Sequence, residues 1–233
     1  MNMNLIKRLT VTTAAVALLA AVAQATPLAP GTSAVPNASA TNPLTTGTIV
    51  GNTGVQNFNV SGGGGASFSG TGQEWVVRNF ASNPFGPNAL SFVLQVSLGS
   101  TPPNSVGQVI ERVTNAVFGS FLTDVMYFVQ ASGQVVPGSA DRSGTGQVVG
   151  FNFTSPNPNI LPGQTSVLLI INTNATLFTA GTMTVQDGLT ANLNGFAPTV
   201  PESGAGSAVL LLVGLGSLAF ANRRVLKGSK VSA

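Results

Sequence analysis

Apolar side chains recur at every second position between residues 90 and 98. Since successive side chains of a β-strand point to opposite faces, this period of two predicts a strand with one face against a core. Gly and Pro follow at 99–103 and end the segment. The apolar positions on the predicted core face are Leu90, Phe92, Leu94, Val96 and Leu98.

Other segments show the same period and are separated by residues typical of turns. The segment 165–173 is apolar on both faces at its centre, which predicts a central strand covered on both sides. Asp187-Gly188 predicts a hairpin turn, and the glycines at 62–65 predict a hairpin loop or a flexible connection. Further strands are predicted at 53–60, 108–114, 121–130, 147–153, 182–186 and 189–196.

About eight to ten short strands between Pro and Gly turns are typical of an antiparallel β-sandwich. We therefore predict an all-β fold with this sandwich at residues 53–199, and a closed barrel as the alternative. A short helix at 107–118 is a second interpretation of that segment. Residues 26–52 are rich in Pro, Ala, Thr and Asn, which predicts an extended lead-in without a helix and with little buried surface.

The chain contains neither cysteine nor histidine, and residues 26–200 also lack lysine. These absences remove disulfides, thiolate ligands, the usual general base near neutral pH and the Schiff-base nucleophile. A Ser-His-Asp triad cannot be assembled. No catalytic residue is therefore assigned, and only chemistry that rests on carboxylates alone remains open.

The basic character of the chain lies at its two ends. The formal net charge is +3 and the pI is about 10.0. Residues 26–200, however, contain three arginines and five carboxylates, which gives a net charge of −2. A weakly acidic body without a basic patch argues against nucleic acid as a partner.

Residues 1–25 have the three parts of a secretory signal peptide. Basic residues precede an apolar stretch at 9–22, and Ala23 and Ala25 supply the small-x-small pattern of a cleavage site. Cleavage after Ala25 is predicted, which makes the Sec translocon and signal peptidase partners of the chain during export. A retained N-terminal membrane helix is the alternative.

A second apolar run, residues 205–221, carries cations only on its far side. At about 1.5 Å per residue it is slightly shorter than a typical hydrocarbon core, and it predicts a transmembrane helix. Arg223, Arg224 and Lys227 lie in the basic tail 222–233, which the positive-inside rule holds in the cytoplasm. The residues before 200 are then directed outward.

A short motif directly precedes this helix, and its residues are Val200, Pro201, Glu202, Ser203 and Gly204. With the helix and the arginines it resembles the PEP-CTERM sorting signal of exopolysaccharide-producing Gram-negative bacteria. Ser203 stands where the family has a second proline, as in Ser-Gly variants of the signal. An ordinary C-terminal membrane anchor is the alternative.

The resemblance of residues 200–233 implies sorting and processing by an exosortase-like enzyme. It implies an inner-membrane intermediate followed by delivery to the cell surface or extracellular matrix. The body also looks like the uncharacterised exported β domains that precede such signals. The resemblance implies no activity and supplies no site residues.

These features predict an exported, non-catalytic cell-surface or extracellular-matrix protein associated with exopolysaccharide or biofilm. A surface of Ser, Thr, Asn, Gln and Gly offers neutral hydrogen bonds to exopolysaccharide or to further copies of the chain. No cofactor and no metal site are predicted. A structural calcium ion is left open, although no Asp-x-Asp-x-Asp-Gly loop is present.

A carbohydrate-binding β-sandwich is the first alternative function. Trp75 lies beside Glu74 and near Arg78, a pattern that suits an aromatic platform for glycan contact. The adjacent valines leave the direction of the indole open, and a buried core tryptophan is the competing interpretation.

A glycosidase working through two carboxylates is the remote alternative, with Asp124 and Glu74 as its candidate residues. The alternation in 121–130 places Asp124 opposite the apolar face formed by Phe121, Val125, Tyr127 and Val129, and therefore toward solvent. The remaining carboxylates predict other roles. We expect Glu111, beside Arg112, and Asp141, beside Arg142, to be solvated or charge-balanced at the surface. We expect Asp187 to belong to a turn.

Overall fold

The computed structural model of the protein describes residues 26–63, 67–100, 108–154 and 158–200. Nearly all regular structure in these residues is β-strand, as the sequence predicts. The elements are β1 (Ser33–Ala34), β2 (Asn37–Ala38), α1 (Pro43–Thr46), β3 (Thr48–Asn52), β4 (Gln56–Ser61), β5 (Ser67–Arg78), β6 (Ser91–Leu98), β7 (Arg112–Ala116), β8 (Thr123–Phe128), β9 (Ser139–Arg142), β10 (Val148–Asn152), β11 (Leu168–Thr173), β12 (Leu177–Asp187) and β13 (Leu189–Thr199).

The described strands form two sheets. Sheet A has the order β2-β8-β11-β6-β5-β3, and β4 is also paired with β5. Sheet B has the order β1-β9-β10-β7-β12-β13. The pairings between these strands are antiparallel, except that β2 runs parallel to β8. The all-β prediction is confirmed, with sheet A mixed rather than purely antiparallel.

A continuous apolar core contains side chains from both sheets. Phe92 and Leu94 of β6 enter it from sheet A, and Val113 of β7 and Phe151 of β10 enter it from sheet B. All four side chains are fully buried. Because two sheets bury their apolar faces in one cluster, the described body has a β-sandwich arrangement.

Sheet A carries a second apolar cluster on its outer face. Leu44 of α1 packs against this cluster. β11 is therefore covered on both sides, as the sequence predicts. β6 is also covered on both sides, although its sequence predicts a core on one face only. One row of the outer cluster crosses β5, β6, β11 and β8 through Trp75, Val93, Ile170 and Met126.

The segment 26–52 belongs to the sandwich, which corrects the expectation of an extended lead-in. It supplies β1, β2 and β3, which pair with β9, β8 and β5. Pro43 begins α1, at a position where a backbone N–H has no helical partner, and Asn42 caps the turn through Oδ1 to the Leu44 N–H at 2.9 Å. Short edge strands need few apolar side chains, so low hydrophobicity is compatible with them.

Two predicted hairpins are confirmed. β4 and β5 are antiparallel neighbours on either side of the glycine loop. β12 and β13 pair along their whole length around Gly188, whose φ of +59° lies in the left-handed region that glycine adopts readily. The short helix considered at 107–118 is wrong for residues 112–116, which form β7.

Trp75 is the one tryptophan in the sequence, and its side chain is 9% exposed. We expect native fluorescence emission that is blue-shifted relative to free tryptophan, because the indole lies in the apolar outer cluster of sheet A. Unfolding should shift the emission to the red, and acrylamide should quench the native signal weakly. A Trp75→Phe variant supplies the blank. Native emission at the wavelength of free tryptophan, with full quenching, would contradict this placement.

Candidate functional site

A row of polar side chains crosses the outer face of sheet A and ends at Asp124 of β8. The strand register places Asp124 beside Asn172 of β11, and Asn172 beside Ser91 of β6. Asn83, from the loop between β5 and β6, joins the row at Ser91. All four side chains are buried, so this polar row is enclosed within the protein.

Hydrogen bonds connect the polar row from end to end. Asn83 Nδ2 donates to Ser91 Oγ at 3.1 Å, and Ser91 Oγ donates to Asn172 Oδ1 at 2.6 Å. Asn172 Nδ2 then donates to Asp124 Oδ2 at 2.9 Å. Each donor and acceptor fixes the orientation of the next side chain, and Asp124 accepts at the end of the row.

Asp124 is fully buried, and the expectation that it faces solvent is wrong. The alternation in β8 does place it on the outer face, and the chain around Pro27 pairs with β8 beside it through an antiparallel bridge to Asp124. Burial raises the pKa of Asp124 above its usual range. Oδ1 has no hydrogen-bond partner of good geometry among the described residues, so half of this carboxyl group is unsatisfied.

Asp124 also lines an apolar groove of about 320 Å³ at one end of the sandwich. The groove lies between the segment around Pro27 and Leu28, the loop residue Phe85, and Leu122 before β8. Nearly all of its walls are apolar carbon.

Arg142 lines the same groove and is 4% exposed. Its guanidinium group has five N–H donors, and each of them has a neutral oxygen as its acceptor. Burial lowers the pKa of Arg142 from its ordinary value. The acceptors are Gly146 O at 2.9 Å from Nε, Leu28 O and Thr123 Oγ1 each at 3.1 Å from Nη1, and Phe118 O at 2.6 Å and Phe121 O at 2.8 Å from Nη2.

Asp141 is charge-balanced as expected, but by Arg112 and not by the buried Arg142, because neighbours in β9 point to opposite faces. Asp141 lies on the outer face of sheet B and forms a salt bridge with Arg112 of β7. The Arg112 guanidinium crosses β10 over Gly150, where a Cβ atom would lie 2.3 Å from Nη2. Asn152 donates to Asp141 Oδ2 at 2.7 Å. The hydrogen bonds from Arg112 lower the pKa of Asp141.

Glu74 of β5 is a second buried carboxyl group, and it lies in the interior between the sheets. Asn115 Nδ2 of β7 donates to Oε1 at 2.6 Å, and the Phe196 N–H of β13 donates to Oε2 at 3.1 Å. Burial raises the pKa of Glu74 to about 8, although both hydrogen bonds oppose that rise. Glu74 is therefore mainly protonated at neutral pH.

Glu74 and Asp124 lie on opposite faces of sheet A. Successive pairings carry the row of Glu74 through Leu94 and Leu169 to Tyr127, which packs against the inner core. Asp124 is three residues from Tyr127 and therefore points the other way. The structure does not bring the two proposed glycosidase carboxylates together across one bond.

Trp75, the candidate for glycan contact, packs within the outer apolar cluster. With 9% of its side chain exposed, the indole has no open face on which a sugar ring could stack. This matches the competing interpretation of a buried core tryptophan.

An open cleft of about 620 Å³, which no sequence pattern indicates, lies at the end of sheet A. Its lining consists of amides, hydroxyls and small residues without a charged or aromatic side chain. Gln95 Nε2 donates to Gln130 Oε1 at 2.8 Å, and Ser97 and Thr165 share a hydrogen bond of 2.7 Å. The Nε2 atoms of Gln130 and Gln134 have no partner among the described residues, so they can donate to a ligand. We call this feature the amide cleft.

Within the described ranges, no three His, Cys, Asp or Glu side chains lie close enough to form a metal site. The same ranges contain no helix long and apolar enough to cross a membrane.

Most residues of the predicted signals lie outside the described residues. Val200 is described and is 56% exposed. The apolar run 205–221 lies beyond the last described residue. The other signal residues outside the described ranges are Ala23, Ala25, Pro201, Glu202, Ser203, Gly204, Arg223, Arg224 and Lys227.

Comparison of the chain with protein-family models, curated proteins and solved structures found no match.

The raised pKa of Glu74 predicts a stability that depends on pH. The folded state holds a proton that the unfolded chain releases above about pH 4.5, so this contribution is complete below that pH. It is lost as the pH rises to about 8, by on the order of 5 kcal/mol in all. Denaturant unfolding between pH 4 and pH 9 measures this loss.

A Glu74→Gln variant should flatten this profile, although one of the two donors to Glu74 would then face an amide NH₂ group and lower the stability at all pH values. The matched control is Glu111→Gln, the same substitution at an exposed carboxyl group. An identical slope in the wild type and the Glu74→Gln variant would contradict the buried, protonated state of Glu74.

Proposed function

We propose that this chain is an exported, non-catalytic protein of the cell surface or extracellular matrix of a Gram-negative bacterium. The signal peptide pattern at 1–25 supports export, and the motif, apolar run and basic tail at 200–233 support sorting by an exosortase-like enzyme. In this proposal the chain passes through an inner-membrane intermediate and then associates with exopolysaccharide or with further copies of itself.

The observation that carries the non-catalytic assignment is the way the body uses its carboxylates. Glu74 is bound by Asn115 and Phe196, Asp124 by Asn172, and Asp141 by Arg112. Asp187 accepts from the Val109 N–H at 3.0 Å, so it connects the hairpin turn to the start of the described range 108–154. Each of these four carboxylates accepts hydrogen bonds from local backbone or side-chain donors, and no two of the four share a donor.

The outer surface supports contact with neutral polymers. Within residues 26–200 there are eight charged side chains, and two of the arginines and three of the carboxylates are held by one another or by neutral partners inside the fold. A surface with so little charge neither repels further copies of the chain nor attracts counterions strongly. Hydrogen bonding from amides and hydroxyls is then the main means of association.

Intact mass of the protein from the cell surface and medium of its own host tests this proposal. We expect a species that begins at Thr26 and ends between 200 and 204, because both signals are removed. Replacing Pro201 and Glu202 with alanine should leave the tail attached, whereas Thr199→Ala, just outside the motif, should be processed normally.

Retention of residues 205–233 in the wild type would contradict exosortase processing and would favour a permanent membrane anchor.

Deletion of the gene tests the role in the matrix. Unchanged attachment, aggregation and matrix composition in the deletion strain would contradict the cell-surface function itself.

A carbohydrate-binding role is the second candidate, and the amide cleft favours it. The cleft offers neutral donors and acceptors over about 620 Å³ and has an open shape suited to a chain of sugars. Without an aromatic platform, each site would bind weakly, so a repetitive polysaccharide is a better ligand than a single sugar. Trp75 has no part in this version of the hypothesis.

A bulky substitution in the amide cleft tests this role. Ser132→Trp, at an exposed position in the turn that forms one wall, should block the cleft and reduce retention on the host polysaccharide severalfold. The matched control is Thr176→Trp, at an exposed position beyond the opposite end of β11. Equal retention of both folded variants and the wild type would exclude the amide cleft as a glycan site.

A further inference from the structure

Thr26 is held against β8 at the position of Asp124. The Val125 N–H donates to Thr26 O at 3.1 Å, and the Leu28 N–H donates to Thr123 O at 2.9 Å. These two hydrogen bonds lie on either side of the antiparallel bridge between Pro27 and Asp124. Leu28 is 1% exposed, so the segment is fixed by burial as well as by hydrogen bonds.

Two buried polar atoms at this contact have no hydrogen-bond partner of good geometry, Asp124 Oδ1 and Thr26 Oγ1. A buried acceptor without a donor destabilises the folded state. The backbone N–H of Thr26 lies near enough to the carboxyl group to lower its pKa, against the larger effect of burial. Asp124 Oδ1 therefore has capacity for a further donor at this contact.

Thr26 directly follows the predicted signal peptidase site. Hydrolysis of the Ala25–Thr26 peptide bond consumes one water molecule and leaves a carboxylate on Ala25 and an amino group on Thr26. That amino group takes up a proton near neutral pH, since the usual pKa of an α-amino group is about 7.7 to 8.0. Processing thus replaces one neutral N–H with an ammonium group that has three donors and a positive charge.

We propose that Asp124 is the binding site for the α-ammonium group of Thr26, so that removal of the signal peptide creates a buried ion pair which completes the fold. The ligand class is a primary ammonium supplied by the chain itself. The inference rests on the export step of the proposed function, because it requires cleavage after Ala25.

Other groups near Asp124 do not supply this charge. Arg142 lines the same groove, but all five of its N–H donors already have neutral acceptors. Asn172 occupies Oδ2 and is neutral. Since residues 26–200 contain no lysine, the α-ammonium group is the one amino cation that this part of the chain can offer.

The pairing would fix the amino-terminal segment at both of its ends. Leu28 O is held by Arg142 at 3.1 Å, and Thr26 would be held by Asp124. An ammonium group with three donors can also reach a second acceptor, and Thr26 Oγ1 belongs to the same residue. A chain that still carries residues 1–25 has a neutral amide at this position and cannot form the pair.

A cycle of two changes tests the ion pair in the processed protein. The full chain is exported, and the start of the purified protein is verified by mass. One change inserts Gly-Ser between Ala25 and Thr26, which keeps the terminal charge but moves it two residues away from Asp124. The other change is Asp124→Asn, which removes the negative charge at nearly constant shape. Thermal unfolding is measured for all four proteins.

We expect the protein that begins at Thr26 to have the highest midpoint, and Asp124→Asn to lower that midpoint more than it lowers the midpoint of the extended protein. An equal effect of Asp124→Asn in both backgrounds would overturn the ion pair. The difference between backgrounds separates the pair from the ordinary loss of the hydrogen bond to Asn172, which both share.

Labelling of the amino group gives an independent measurement. Each unit by which the pair raises the amine pKa lowers the reactive free-base fraction about tenfold at neutral pH. An amine-selective acylating reagent should therefore label Thr26 about tenfold or more slowly in the wild type than in Asp124→Asn, as read from the N-terminal peptide by mass spectrometry. Equal labelling rates would overturn the proposal.

The failure of the export step and the failure of the ion pair are distinguishable. A host protein that does not begin at Thr26 would overturn the processing step and, with it, the formation of the pair in the cell. A protein shown to begin at Thr26 that has neither coupling nor protection of its amino group would overturn the ion pair alone.

Discussion

The buried guanidinium group of Arg142 is the interaction on which one end of the sandwich depends. It satisfies its five donors with oxygens from Leu28, Thr123, Phe118, Phe121 and Gly146. These oxygens belong to the first segment of the body, the start of β8, the residues before β8 and the turn after β9. Because a buried cation is stable only when its donors are satisfied, all four pieces must be in place together.

This requirement explains much of the candidate site. Leu28 must lie beside Arg142, so the segment before β1 pairs with the start of β8 at Asp124. The polar row from Asn83 to Asp124 is buried at this place, and burial raises the pKa of Asp124. The apolar groove, the buried carboxyl group and the cation are therefore parts of one arrangement rather than separate features.

The sequence predicts strands well because a period of two follows from strand geometry alone, as in β6 and β11. It predicts the direction of Asp124 correctly but not its burial, since alternation cannot tell whether another segment covers a face. Asp141 and Arg142 are adjacent in sequence but point to opposite faces. Their adjacency therefore does not indicate that they share one environment. The partner of Asp141 is Arg112, two strands away, and only the register brings them together.

The same limit applies to the sites that depend on several strands. Asn172, Ser91 and Asn83 have no local pattern that marks them, and the amide cleft is assembled from turns distant in sequence. What the sequence does identify is the bond before Thr26, and the fold places the atom that follows this bond beside an unsatisfied carboxylate oxygen. The predicted cleavage site and the contact with Asp124 thus both involve Thr26. Under the proposed pair, the completion of this end of the sandwich depends on where the chain is cut.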